Sequence, residues 1–146
     1  MWLGESMIST STFSDLKADL IRDEGYKDKP YKDSRGFLTI GVGHNLDAEG
    51  LCPAAILAQL EYDINKAEKR LLRFSWYNNT LPSKVQRALL NLSFNLGNTL
   101  LDFHQTLSLI EHGEYSKAAD QLMTNERYVK QVGKRAARIA DLLRNP

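Results

Sequence analysis

Cys52 is the only cysteine in the chain, so no internal disulfide can form and stability has to come from packing. Its context, Gly50-Leu51-Cys52-Pro53, offers no neighbouring activator, so cysteine-nucleophile chemistry has no support and Cys52 reads as a small buried apolar residue. Long apolar runs are missing too. No stretch approaches the roughly 18 apolar residues that a bilayer span needs. Met1 to Thr12 carries neither a basic n-region nor a continuous apolar segment, so no signal peptide is expected. An excess of one charge is also absent: 19 Lys and Arg stand against 18 Asp and Glu, a formal net charge of +1 that argues for no anionic partner. There is no internal repeat and no low-complexity stretch.

What is present is ordinary for one globular domain. The 146 residues are 42% apolar and 25% charged, enough to bury a substantial core. The one local charge bias lies between Leu122 and Pro146, with six Lys or Arg against two acids. It reads as a solvated helix face. A nucleic-acid binder would rest on that segment alone, without a recognised motif.

Helix signals dominate. Thr12 followed by Asp15 resembles a capping box, and Phe13, Leu16 and Leu20 recur at helical spacing, predicting a first helix that stops near Gly25. From Tyr31 to His44 the pattern changes. Asp33-Ser34-Arg35-Gly36 is a turn signal, Phe37-Leu38-Thr39-Ile40 is rich in strand formers, and Gly41 and Gly43 break any helix. A small antiparallel sheet is expected there. Pro53 is placed to open a long helix with Cys52 as its cap, and Leu57, Leu60, Ile64, Ala67 and Leu71 form its stripe, to about Phe74. Val85, Leu89, Leu92 and Leu96 predict another apolar helix, closed by Gly97. Shorter helices are expected around Phe103–His112 and Ser116–Met123. A last one should run from about Lys134 to Leu143, with Ala136, Ile139 and Leu143 inward. A long helix in this position either lies in a core or bridges two lobes, and a bridge would leave a cleft where sites tend to occur.

Glu24 at a helix end, Asp33 nine residues on and Thr39 six further are the candidates for chemistry. Glycoside hydrolysis needs one carboxyl to protonate the leaving oxygen and another to manage the attacking water or the anomeric carbon. A rigid helix end and a rigid hairpin are able to hold two carboxyls in that relation, and a threonine hydroxyl can help position a water. Spacing alone does not single them out among eighteen acids, most of which only solvate a surface.

Three segments do. Leu20-Ile21-Arg22-Asp23-Glu24-Gly25, Tyr31-Lys32-Asp33 and Thr39-Ile40-Gly41-Val42-Gly43-His44 resemble the active-site segment of phage-type lysozymes, the endolysins related to the lysozyme of T-even bacteriophages in glycoside hydrolase family 24. The family's Glu, eight residues, Asp, five residues, Thr is matched without a gap. Ala88-Leu89-Leu90-Asn91, Phe94-Asn95-Leu96-Gly97, Phe103, Arg127-Tyr128 and Arg135-Ala136-Ala137-Arg138 extend the likeness over most of the chain, roughly Phe13 to Ile139.

The resemblance implies one phage-type lysozyme domain over 1–146 of α+β, mainly α class. It comprises a helix and small antiparallel sheet lobe over about 13–52, a connecting helix over 53–74 and a helical lobe over 75–146. It implies a muramidase that hydrolyses, with inversion, the β-1,4 bond between N-acetylmuramic acid and N-acetylglucosamine. Glu24 would be the general acid, Asp33 would hold or activate the water, and Thr39 would position it. No metal or organic cofactor is implied, since carboxyls carry both proton transfers. Asn45, Phe94, Asn95, Thr106, Gln121 and Arg135 would bind substrate, with Arg135 approaching Glu24. His44 would form a structural ion pair with Asp63 rather than shuttle protons. Phe94, Phe103 and Trp76 are expected in the core, Phe94 also serving the sugar.

The chain departs from the family at Asn45, where a Leu is common, at Asn95, where a Gln is, and at Tyr128, in the place of a Trp. The expected partner is bacterial peptidoglycan. A monomer is expected, without nucleic-acid binding or membrane insertion, made in a host cytoplasm and released to the periplasm and wall. The competing readings are a lytic transglycosylase, which needs the acid but not the water site, and an inactive wall-binding module, which would be expected to have lost one of the three residues.

Overall fold

The computed structural model describes residues 7–146, so the first half of the segment judged to lack a signal peptide lies outside the described residues. In chain order the elements are α1 (Thr10–Glu24), β1 (Lys27–Lys32), β2 (Leu38–Gly41), β3 (His44–Asn45), α2 (Pro53–Leu71), α3 (Ser83–Leu96), α4 (His104–Glu111), α5 (Tyr115–Met123), α6 (Glu126–Val132) and α7 (Lys134–Arg144), with a 3-10 segment over Gly97–Asp102. Seven helices and one small antiparallel sheet among the described residues make this the mainly helical α+β fold expected of a lysozyme-like chain. The chain divides into two compact units, residues 1–58 and 59–146, with the division inside α2.

In the first unit α1 is capped by Ser9, whose Oγ accepts from the Thr12 amide at 3.1 Å. The cap therefore lies three residues before Thr12. Thr12 serves it from inside the helix, its Oγ1 accepting from Ser9 Oγ at 2.9 Å. The helix ends at Glu24 because Gly25 takes φ +84, and the Gly25 amide donates back to Ile21 O.

The sheet has the order β1-β2-β3, and β1 pairs with β2 through Tyr31 opposite Thr39 and Lys32 opposite Leu38. It begins at Lys27, four residues before the expected start. Pro30, which has no N–H to give, is tolerated because β1 is an edge strand, and the pairing is irregular between Lys27 and Tyr31 around it. Asp33 builds the β1–β2 turn, its Oδ1 accepting from the amides of Arg35 and Phe37 at 2.9 Å each. Beyond β3 the Asn45 Oδ1 accepts from the Asp47 and Ala48 amides, and Asp47 Oδ2 accepts from the Leu38 amide at 2.7 Å.

In the second unit the core is helical. Val85, Ala88, Leu89 and Leu92 of α3 are fully buried, with Leu122 from α5 and Ile139, Ala140 and Leu143 from α7. The stripe expected on α2 is buried only at Ala67 and Leu71; Leu60 and Ile64 instead line an apolar groove with Ala67, Leu90, Phe94 and Leu142. That helix stops at Leu71, three residues short of the expected end, where Phe74 N turns back to Leu71 O at 2.9 Å. Just before its start Cys52 is exposed, not buried as expected.

A polar clasp fixes α2 to α3. The buried Ser93 hydroxyl donates to Ala67 O at 2.7 Å and accepts from Arg70 Nη1 at 2.9 Å. Tyr77, also buried, donates to Glu68 Oε1 at 3.1 Å; burial, then the charge and hydrogen bond of Glu68, push its phenol up to about 12. The helix α6 was not anticipated. It is short, and its start is set by Asn125, whose Oδ1 accepts from the Tyr128 amide at 3.0 Å.

Candidate active site

Glu24, Asp33 and Thr39 all lie in the first unit, each on a different element. Glu24 is the last residue of α1, and its carboxylate rests against Gly43 in the turn between β2 and β3. A Cβ at Gly43 would lie 2.7 Å from Glu24 Oε2 and 3.0 Å from its Cδ, so only glycine leaves the carboxylate where it is. Gly43 also takes φ +65, so both the backbone and the space call for glycine. This contact was not read from the sequence; the Gly-Val-Gly pattern signalled only a break.

Asp33 and Thr39 are held with equal definition. With Asp33 Oδ1 spent on two amides, Oδ2 has no partner among the described residues. Thr39 is 3% exposed, and its hydroxyl donates to Phe37 O at 2.9 Å. Its single proton is thereby committed, so toward any further partner Oγ1 acts as an acceptor. The Arg35 guanidinium stacks over the Phe37 ring at 5.1 Å and stiffens the same hairpin.

His44 also lies in this unit, with Nε2 3.0 Å from both Glu49 O and Gly50 O. Asp63, in the second unit, accepts from Gln59 at 3.1 Å. Asn45 spends its side-chain oxygen on the loop after β3, which leaves its amide group for a ligand.

In the second unit Asn95, Thr106 and Gln121 come together along one polar groove of about 900 Å³, although they are spread over 26 positions of the chain. Gln121 donates to Gln105 Oε1 across it at 2.6 Å, and Asp102, His104, Asn125, Arg127 and Gln131 complete its walls. Phe94 and Arg135 line the apolar groove of the same unit instead; Phe94 is 43% exposed, so it is not the core residue expected, whereas Phe103 and Trp76 are half-buried and pack against the core. Arg135 Nε donates to Asn91 Oδ1 at 2.8 Å.

Tyr128 is the residue sequence reasoning undervalued. It lines the polar groove, its ring meets Phe103 edge-on at 5.8 Å, and its buried hydroxyl has no hydrogen-bond partner among the described residues. Burial pushes that phenol up and the Arg135 charge draws it partly back. No pattern of residue types announces an orphaned hydroxyl.

A helix-end carboxyl, a hairpin carboxyl with one free oxygen and a threonine acceptor are the kinds of group that carboxylate-dependent hydrolysis calls for. The comparisons make the class particular. The phage lysozyme family model matches residues 22–144. The chain is 28% identical to probable T4-type lysozyme 1 of Dictyostelium discoideum over 160 residues, covering 89% of this chain and 94% of that protein. It is 30% identical to the endolysin of Salmonella phage P22 over 127 residues, covering 80% and 81%, and 29% identical to probable T4-type lysozyme 2 of Dictyostelium discoideum over 156 residues, covering 86% and 91%. The chain belongs to the phage lysozyme family. It is, in that broad sense, a glycosidase that lyses peptidoglycan. No helix among the described residues is long and apolar enough to cross a membrane.

Proposed function

We propose that this lysozyme is a muramidase that hydrolyses the β-1,4 bond between N-acetylmuramic acid and N-acetylglucosamine with inversion at the anomeric carbon. The reading rests chiefly on how Asp33 and Thr39 are already committed. A water between them meets a carboxylate oxygen with no other partner and a hydroxyl whose proton is spent. It therefore donates one hydrogen to Asp33 and the other to Thr39, which leaves a lone pair to attack the anomeric carbon. As that bond forms, Glu24 gives its proton to the glycosidic oxygen and the carbon–oxygen bond to the leaving sugar breaks. Asp33 takes the proton from water, and exchange with solvent then removes it from Asp33 and returns one to Glu24 for the next turnover. Inversion requires space for the water, so the two carboxyls stand on opposite sides of the sugar.

The other sugar contacts follow the same reading. The Asn45 amide group serves the first unit, and Asn95, Thr106 and Gln121 along the polar groove serve the second, with Phe94 and Arg135 beside the apolar groove. A lytic transglycosylase would have no use for the Asp33–Thr39 arrangement.

Digestion of purified peptidoglycan, followed by mass analysis of the muropeptides and NMR of the first-formed anomer, tests the proposal. Reducing ends that carry one added water and an inverted α-anomer are expected. Anhydro ends, or retention of the β-anomer, would overturn it. Glu24→Gln keeps the side-chain shape but has no proton to transfer, so turnover should fall at least about 10²-fold. Near-normal turnover in that variant would remove Glu24 from the role of acid.

A further inference from the structure

A third groove, of about 540 Å³, opens in the second unit, and only His104 of its lining residues also borders the polar groove. It is lined by the loop after α2, from Arg73 to Trp76, and by one face of α4 formed by His104, Leu107, Ser108 and Glu111. That volume is within the range of about 300–1,000 Å³ typical of small-ligand sites. Phe74 and Trp76 stack there with centroids 5.0 Å apart and an interplanar angle of 22°, each half-buried, so aromatic surface borders the groove. The buried Leu107 also borders it.

The polar side chains around those rings are idle. Arg73, Ser75, His104, Ser108 and Glu111 make no side-chain hydrogen bond or ion pair among the described residues. Arg73 and Glu111 carry opposite charges, share one groove and yet do not pair, so a donor and an acceptor remain available to a guest lying among them. Their charges cancel, which disfavours a polyanion such as nucleic acid and favours a neutral guest. The guest should offer an apolar face to the rings and hydroxyl and amide groups at its edge. A pyranose with an acetamido group has that chemistry: axial C–H bonds on one face, hydroxyls at the rim, and an amide that both donates and accepts.

From this we infer that the groove between the Phe74–Trp76 pair and α4 is a second carbohydrate site, which holds an N-acetylhexosamine unit of the glycan strand without cleaving it. Glu111 accepts from the acetamido N–H, Arg73 donates to its carbonyl, and the rings carry the sugar face. The inference builds on the reading that the substrate is a glycan. Its effect on a polymeric substrate is avidity: a chain held at one point raises the local concentration of its neighbouring bonds.

The test is a titration of the isotope-labelled full chain carrying Glu24→Gln with a soluble oligomer of N-acetylglucosamine, followed by NMR. Its readout is binding, so a failure of the hydrolytic mechanism would show in the muropeptide digest and not here. Shifts are expected at the Trp76 indole N–H and at the amides of residues 107–111. The combined Arg73→Ala and Glu111→Gln changes, both at exposed positions, should weaken that binding at least about tenfold, in line with the loss of hydrogen bonds to charged groups. Thermal unfolding of the double variant establishes that it is folded; were it unfolded, Glu111→Gln alone should still weaken binding several-fold. Shifts that spare Trp76 and residues 107–111 would overturn the inference. So would undiminished binding in the folded variants, or a response to a free stem peptide in place of the oligosaccharide.

Discussion

Replacing Gly43 by alanine separates the two demands made on that position. The first is conformational: at φ +65 an L-residue costs about 1–2 kcal/mol. For a domain of this size that lowers Tm by about 3–8 °C. The second is space. The new Cβ would lie 2.7 Å from Glu24 Oε2, whereas ordinary contact begins near 3.4 Å, so the carboxylate must retreat by about 0.7 Å. Glu24 is exposed at a helix end and is able to swing away cheaply, so the clash should appear in activity rather than in stability. A misplacement of about 1 Å can cost about 10²-fold in rate, so a loss of about tenfold or more is expected. Gly41 supplies the control, with φ +68 and nothing within 4 Å of its Cβ position. Gly41→Ala should bear the conformational cost and keep most of its turnover. Thermal unfolding by circular dichroism and turnover of soluble peptidoglycan fragments per folded molecule measure the two effects. If the two variants fall in Tm together and also lie within twofold of each other in rate, the position of Glu24 against Gly43 has no bearing on catalysis.

The orphaned Tyr128 hydroxyl makes Tyr128→Phe a stabilising change, since a buried polar group without a partner costs about 1–3 kcal/mol. A calorimetric Tm below that of the parent would show that the hydroxyl is satisfied. Tyr77 should make the fold sensitive to alkali. Its folded pKa stands above the unfolded value, so its contribution is fully present below about pH 10 and is lost as pH rises through about 12. Urea midpoints of Tyr77→Phe across pH 9–12 should decline less than those of the parent over that window, and parallel curves would contradict this.

The elements most legible in the sequence are those whose cause is local. The turn Asp33 to Gly36 was readable because Asp33 serves the amides two and four residues on, and the ends of α1 and α3 because Gly25 and Gly97 take positive φ. The spacing of Glu24, Asp33 and Thr39 was legible only through a family likeness. Sequence gives no reason why Asp33 should spend one oxygen and keep the other, or why the Thr39 proton goes to Phe37 O. The start of α1 was misplaced because Ser9 and Thr12 are both able to cap, and only the backbone at Ser9, φ −68 and ψ 161, decides between them. Missing α6 has a different cause: seven residues make too short a periodic stripe to stand out. The stripe on α2 left open whether that helix lies in a core, because periodicity identifies a face without saying how far along the helix that face is covered.

The chain separation of the contacts has a consequence for the order of assembly. Glu24 and Gly43, which lie against each other in the first unit, are 19 positions apart, and the bonds that set Asp33 and Thr39 close over no more than four. The second unit instead ties Arg135 to Asn91 across 44 positions and Ser93 to Ala67 across 26. Closing a short loop costs less entropy than closing a long one, and chains rich in local contacts fold faster. The hairpin that carries Asp33 and Thr39 can therefore form early, while the helical core that holds the polar groove has to wait for its distant partners to meet. On refolding from denaturant, amide protection should arise in β1 and β2 before it arises where α3 meets α7, and Asp33 and Thr39 would be in place before the groove.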